Sequence, residues 1–244
     1  MTFNKCCLSL AVGLLASAGA AHASPTQLIT NGGFETTDFT GWTVTDLAGG
    51  SGSWFNATGT AGPVSGLLTV GPASGSRYAV TDQGGPGTHV LEQTFTVPAG
   101  ASSVIVSFDM FMNDQSNAGP LGTLLDHTMP SQQHARVDIM SPLAGAFSTV
   151  LIDIVSTLIG PSVDAGTDPN PYTSYSFDLT GLVAPGGTYK LRFGEVDNQF
   201  FFQAGVDNVS IVAEVPGQVP EPMSAALLGL GLLGVAASRR RRSA

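Results

Sequence analysis

From Ser24 to Val219 the chain alternates apolar and polar residues with a period of two. Val104, Val106, Phe108, Met110 and Met112 fall on one side of their segment, Ser107 and Asp109 on the other. The same spacing sets Leu91, Phe95 and Val97 against Glu92, Thr94 and Thr96, and Val137 and Ile139 against Arg136 and Asp138. It sets Tyr175, Phe177 and Leu179 against Ser174, Ser176 and Asp178, and Tyr189, Leu191 and Phe193 against Lys190 and Arg192; Val209 and Ile211 close the series. Successive side chains of a strand point to opposite faces, so each run predicts a strand with one face in a core. Val97-Pro98-Ala99-Gly100, Ser141-Pro142, Asp168-Pro169-Asn170-Pro171 and Ala184-Pro185-Gly186-Gly187 separate the runs as turns. No stretch of this body carries a capped helical period. The prediction is an all-β fold, a single antiparallel β-sandwich of jelly-roll type.

The two ends follow different rules. Lys5 is the only charge before Glu35, Leu8–Ala20 is a run of apolar and small residues, and Ala21-His22-Ala23 is an A-x-A site. Residues 1–23 therefore read as a secretory signal peptide cut between Ala23 and Ser24. Cys6 and Cys7 fall inside it, too early for a lipoprotein signal. At the other end, residues 214–219 read as a linker with two prolines nearby and no amphipathic face. Residues 223–237 are apolar or small, and Arg239, Arg240, Arg241 and Arg242 follow. As a helix that segment rises ~22 Å against a hydrocarbon core of ~30 Å; flanking residues and local thinning make up the rest. The arginines resist translocation. The expected topology is a body outside, a transient anchor in the inner membrane and a cytoplasmic C-terminus.

Pro220-Glu221-Pro222, the apolar run and the arginine cluster, in that order, resemble the PEP-CTERM sorting signal of Gram-negative bacteria, here residues 220–244. The resemblance implies recognition by an exosortase, a membrane transpeptidase that cuts near Pro-Glu-Pro, and association with exopolysaccharide or biofilm matrix. An ordinary C-terminal membrane anchor is the other reading of the same residues. Gly229, Gly231 and Gly234 spell G-x-G-x-x-G, but they lie inside the apolar run with no strand before them, so they are small residues of a membrane segment.

Charge changes the picture of the body. Seventeen of the eighteen acids lie in 24–219, with only Arg77, Arg136, Lys190 and Arg192 against them, a formal charge of −13. Such a surface repels nucleic acid and favours cations, Ca²⁺ above all outside the cell. The body has no cysteine, which excludes disulfides, thiolate metal sites and cysteine catalysis.

Leu28-Ile29-Thr30-Asn31-Gly32-Gly33-Phe34-Glu35 with Gly41-Trp42, and Gly205-Val206-Asp207-Asn208-Val209-Ser210-Ile211 near the end, are similar to the two motifs that bracket galactose-binding-like sandwiches, carbohydrate-binding modules among them. The body domain is then 24–213. The resemblance implies that the N-terminal strand pairs near the C-terminal one. It also implies that Glu35 and Asp207 hold a structural Ca²⁺ together with backbone carbonyls, and that Trp42 belongs to the core. The open alternative is that Glu35 is a solvated acid and Asp207 a turn former.

Two further pairs stand at predicted strand ends: Asn113-Asp114 and Asp197-Asn198. On neighbouring strands they would converge on one rim and bind a cation or a sugar; Asn and Asp are also ordinary turn residues. Of Phe200-Phe201-Phe202 at most two can face one core, so one aromatic, taken here as Phe201, is expected outside as a stacking platform for a sugar ring. His89, His127 and His134 are scattered, and His127, His134 and Asp126 fit no standard ligand spacing. Neither G-x-S-x-G nor H-E-x-x-H occurs. The reading is an exported, non-enzymatic binding module, for polysaccharide, with a structural Ca²⁺. A purely structural matrix component and an extracellular polysaccharide hydrolase, which needs two facing carboxyls, remain the alternatives.

Overall fold

In the computed structural model residues 24–116, 118–164 and 166–217 are described. The expected signal peptide with Ala21 and Ala23, the 223–237 segment, Pro220, Glu221, Pro222 and Arg239–Arg242 lie outside them. The longest alternating run forms β6 (Ser103–Asp114), and its apolar side, Val104 to Met112, is buried at every second residue. Its neighbours are β11 (Phe202–Val215) and β9 (Thr173–Asp178), both antiparallel. Beyond β11 lie β4 (Tyr78–Asp82) and then β3 (Ser53–Ala57), while β1 (Ser24–Gln27) takes the far end of the same β11 edge. The second sheet runs β2 (Thr43–Asp46), β5 (Gly87–Thr96), β10 (Thr188–Asp197), β7 (Gln133–Met140) and β8 (Ile154–Ser162). All pairings are antiparallel. The described residues contain no α-helix, and thus none long and apolar enough to cross a membrane.

The apolar sides of the two sheets form one core. Phe108 of β6 meets Phe193 of β10 edge to face at 5.2 Å, and Trp42 packs against Phe34 and Phe193. The Trp42 indole N–H donates to the Asn31 carbonyl at 3.1 Å, so its one polar atom is satisfied inside the core. Burial at roughly 25 cal/mol per Å² of apolar surface is the main stabilising effect. The outer face of the second sheet is also covered, because the segment after β7 folds back over Val90, Leu125 and Val196 with Ala146 and Phe147.

Three details differ from the sequence reading. Strand β11 continues to Val215, so Glu214 and Val215 pair with Pro25 and Ser24 where a linker was expected. Asn113 and Asp114 are the last residues of β6 and do not follow it. The strands carrying Asn113-Asp114 and Asp197, β6 and β10, belong to different sheets, so they are not hydrogen-bonded neighbours.

Candidate functional site

The two bracketing motifs meet. Leu28 N donates to Ile211 O at 2.8 Å and Val209 N to Gly32 O at 2.9 Å. A Cβ on Gly32 would stand 1.8 Å from the Val209 carbonyl oxygen, so only glycine permits this approach. Asn31, Phe34, Thr37 and Asn208 all hold positive φ, a conformation that costs free energy and persists where the surroundings over-determine it. Glu35 and Asp207 flank Gly33, where a Cβ would lie 3.9 Å from Asp207 Oδ1 and 4.0 Å from Glu35 Cγ. Both acids grip the segment 73–77. Glu35 accepts from Ser76 N, Arg77 N and Ser76 Oγ at 2.8–3.0 Å; Asp207 accepts from Ala73 N and Ser74 N at 2.9 and 3.0 Å and from Asn208 N at 2.7 Å. The Ser76 backbone and hydroxyl bonds, then that of Arg77, hold the Glu35 carboxyl below its usual range. Burial, with Glu35 adding to it, raises that of Asp207 against its N–H donors. Glu35 Oε1 and Asp207 Oδ2 each accept two N–H bonds, whereas Glu35 Oε2 and Asp207 Oδ1 each accept one and keep a lone pair, and through these two oxygens the site is compatible with Ca²⁺.

At the N-terminal end of β11 the chain turns between β10 and β11. There a groove of about 240 Å³ is lined by Gly84–Pro86 and by Asp197, Asn198, Gln199, Phe200 and Phe201. Phe202 is fully buried, whereas Phe200 is 62% and Phe201 40% exposed. One aromatic of the three faces the core and two face solvent, because the chain enters β11 only at Phe202. Asp197 is buried, accepts from Gly87 N at 3.0 Å, and burial pushes its pKa up to about 7. Asn198 is spent on structure: it accepts from Gln132 N at 2.9 Å and donates to the carbonyls of His127 and Met129 at 2.9 and 2.6 Å.

Asn113 and Asp114 stand elsewhere. Asn113 bonds Gln203 Oε1, the Leu68 carbonyl and Asn170 N. Asp114 accepts from Ser116 and from Gln133 Nε2 at 3.0 Å, and lines a separate depression of about 260 Å³ with Asp168. Gln133 also donates to Phe200 O at 3.1 Å. It thereby links Asp114 to the groove-side turn without placing Asp114 among the groove's lining residues.

The structure adds two residues that the sequence reading did not single out. His89 and Glu195 are cross-strand partners on β5 and β10, and Asp197 is opposite Gly87. Ligand atoms of His89, Glu195 and Asp197 lie within 4.8 Å of one another, a group able to hold a metal ion. Glu195 is fully buried, and neither carboxylate oxygen has a hydrogen-bond partner. Burial, then Asp197 and Asp46, drives its pKa far upward. The signal was present: the core-facing series Leu191, Phe193 continues by alternation into Glu195 and Asp197. His127 bonds Thr88, and His134 Nδ1 lies 3.1 Å from the Leu121 carbonyl. Among the described residues neither belongs to such a metal-capable group.

Residues 218–242 match the PEP-CTERM protein-sorting motif. The chain thus carries the sorting signal of exported proteins, which implies exosortase processing. No curated protein matches it by sequence. Solved structures similar in architecture include TmCBM61 in complex with beta-1,4-galactotriose, at TM-score 0.46 and 11% identity, covering 76% of this chain and 97% of that one. The K3 cleaved adhesin domain of Lys-gingipain from Porphyromonas gingivalis W83 gives 0.47 and 14%, covering 79% and 99%. The enzymatically active domain of bacteriophage CBA120 tailspike protein 4 gives 0.46 and 16%, covering 77% of this chain and 21% of that one. At these scores the likeness is one of general architecture.

Proposed function

We propose that this is an exported, non-enzymatic surface or matrix protein whose sandwich binds polysaccharide in the groove between β10 and β11. One observation carries the reading: two solvent-facing phenylalanines, Phe200 and Phe201, stand beside a buried acid, Asp197, in a concave site. Sugar rings stack on aromatic faces, and a few placed polar groups fix their orientation. A glycosidase needs two carboxyls about 5–9.5 Å apart flanking the bond. The groove is lined by one acid, and Glu195 behind it is fully buried, which favours binding over hydrolysis. The test is affinity electrophoresis of the detergent-purified full chain through a panel of soluble polysaccharides. Retardation by at least one, lost in Phe201→Ala, is expected; equal mobility of parent and variant in every gel overturns the reading.

Glu35 and Asp207, with carbonyls of the Asn31–Phe34 turn, would hold the structural Ca²⁺. Both acids already fasten segment 73–77, and the ion would complete that clamp. The expected result is an unfolding midpoint several degrees higher in excess Ca²⁺ than in chelator, with the difference abolished in Asp207→Asn. An unchanged midpoint removes the ion from the account. Exosortase cleavage near Pro220-Glu221-Pro222, after transient residence in the inner membrane with the arginines cytoplasmic, predicts a mature chain lacking residues 223–244 in mass spectra of the native product.

A further inference from the structure

The inner face of β10 ends in two acids with no Lys or Arg partner. Lys190, Arg192 and Arg136 belong to the opposite face, where they bond Glu92, Asp138 and carbonyls of the covering segment. Glu195 is 0% exposed and both of its oxygens lack partners. Protonation does not resolve this, because a carboxyl O–H also needs an acceptor and neither oxygen has one. A cation would resolve it. His89 is arranged as metal-binding imidazoles are: Nδ1 is held by Asp46 at 2.7 Å, a carboxylate that fixes ring orientation and raises basicity. Its Nε2 lies 3.0 Å from the Ser51 carbonyl and can exchange that contact for an ion. A Cβ on Gly87 would stand 2.3 Å from Nε2, so the glycine opposite Asp197 leaves the ring its room.

We propose that His89, Glu195 and Asp197 form a zinc site behind the groove, with the Ser51 carbonyl beside it. One imidazole nitrogen and two carboxylates suit a four-coordinate first-row ion. Ca²⁺, which takes six to eight oxygens, does not match this set. Asp197 lines the groove and gives the ion its way in from solvent. The site is distinct from the Glu35–Asp207 position, which lies at the irregularity in the middle of β11. It shares Asp197 with the groove, but Glu195 is not among the groove's lining residues, so a change at Glu195 separates the metal from the sugar.

The test uses the full chain in detergent, stripped with chelator and returned to saturating Ca²⁺ so that the other position is held constant. Zn²⁺ titration by calorimetry is expected to give one saturable site, and the unfolding midpoint to rise by several degrees. Co²⁺ in place of Zn²⁺ should give visible d–d absorption. Glu195→Gln and Asp197→Asn should each weaken Zn²⁺ binding a hundredfold or more while Glu195→Gln keeps any sugar retardation. Conversely, Phe201→Ala should keep the zinc. Absence of saturable Zn²⁺ binding by the parent, or unaltered binding by a folded Glu195→Gln chain, overturns the proposal. If Glu195→Gln does not fold, Asp197→Asn decides: undiminished Zn²⁺ affinity and Co²⁺ absorption overturn it, and their loss supports it.

Discussion

Strand β10 carries buried charge on both of its faces, and the two faces treat it in opposite ways. On the outer face every charged group meets an opposite one. Arg192 bonds Asp138 at 2.5 Å, Arg136 bonds the same carboxylate at 2.8 and 2.9 Å, and Lys190 bonds Glu92 at 3.1 Å. The carbonyls of Ala144, Ala146 and Ser148 then cap the two cations from the covering segment. One N–H, Nε of Arg192, is left over. On the inner face the carboxyls of Glu195 and Asp197 lie together with no Lys or Arg, and only the His89 imidazole beside them. Burial without compensation is costly. One face of β10 thus carries a closed network, and the other, three residues on at Glu195, carries a buried carboxyl whose oxygens have no hydrogen-bond partner.

The largest effect should come from breaking the closed face. Asp138→Ala leaves two buried guanidinium groups unpaired and should cost about 3–5 kcal/mol in urea unfolding. Replacing the acid and both of its partners together, Asp138→Leu with Arg136→Met and Arg192→Met, should recover much of that loss; no recovery would mean that packing, and not charge, decides this face. The acid limb follows. Burial raises the Asp138 pKa, but the Arg136 hydrogen bonds and the Arg192 and Arg136 charges outweigh it, and the net shift is downward. A carboxyl lowered in the folded state stabilises above its unfolded value, about 3.9, and loses that contribution as pH falls through the folded value. The stability gap between parent and Asp138→Ala should therefore be flat from pH 7 to about 4 and narrow below it. A gap constant to pH 2 would contradict the assignment. On the open side, Phe201→Ala should lower sugar affinity roughly tenfold while unfolding stays within about 0.5 kcal/mol of the parent. The smallest change is expected for Glu195→Gln without metal at pH 7: equal stability or a gain of up to about 1 kcal/mol, because the amide needs no proton to be neutral. A loss of several kcal/mol there would show that Glu195 is held by partners after all.

Alternation made β5, β6, β9 and β10 readable, because each buries one face and wets the other along part of its length. It failed for β4, where Tyr78–Asp82 is buried on both faces and no period survives. It failed for β8, where Ile154–Ser162 is half-exposed along most of its length, with Ile159 alone buried, and its pairing with β7 is broken by irregularities. Strand β7 was legible for a partly wrong reason: Arg136 and Asp138 look like a solvent face but are buried beneath the covering segment. The same limit governs the site. Asp197, Asn198 and Phe201 could be found because they cluster in sequence. His89 joins them only through the β5–β10 register, which no local pattern encodes, and the convergence expected of Asn113 and Asp114 required two strands that the topology assigns to separate sheets.

Strand β11 also has a mechanical meaning. Its first residue, Phe202, stands beside the groove, and its last, Val215, leads into the sorting segment; over fourteen residues that separates the two by about 40 Å. At the Val215 end β11 is clasped by β1 on one edge and β6 on the other, with Ser24 opposite Val215 and Ser103 opposite Glu214. A pull between a polymer held at the groove and a tail held elsewhere is directed along the strand. It therefore loads these ladders in shear, many hydrogen bonds at once, and does not unzip them one by one.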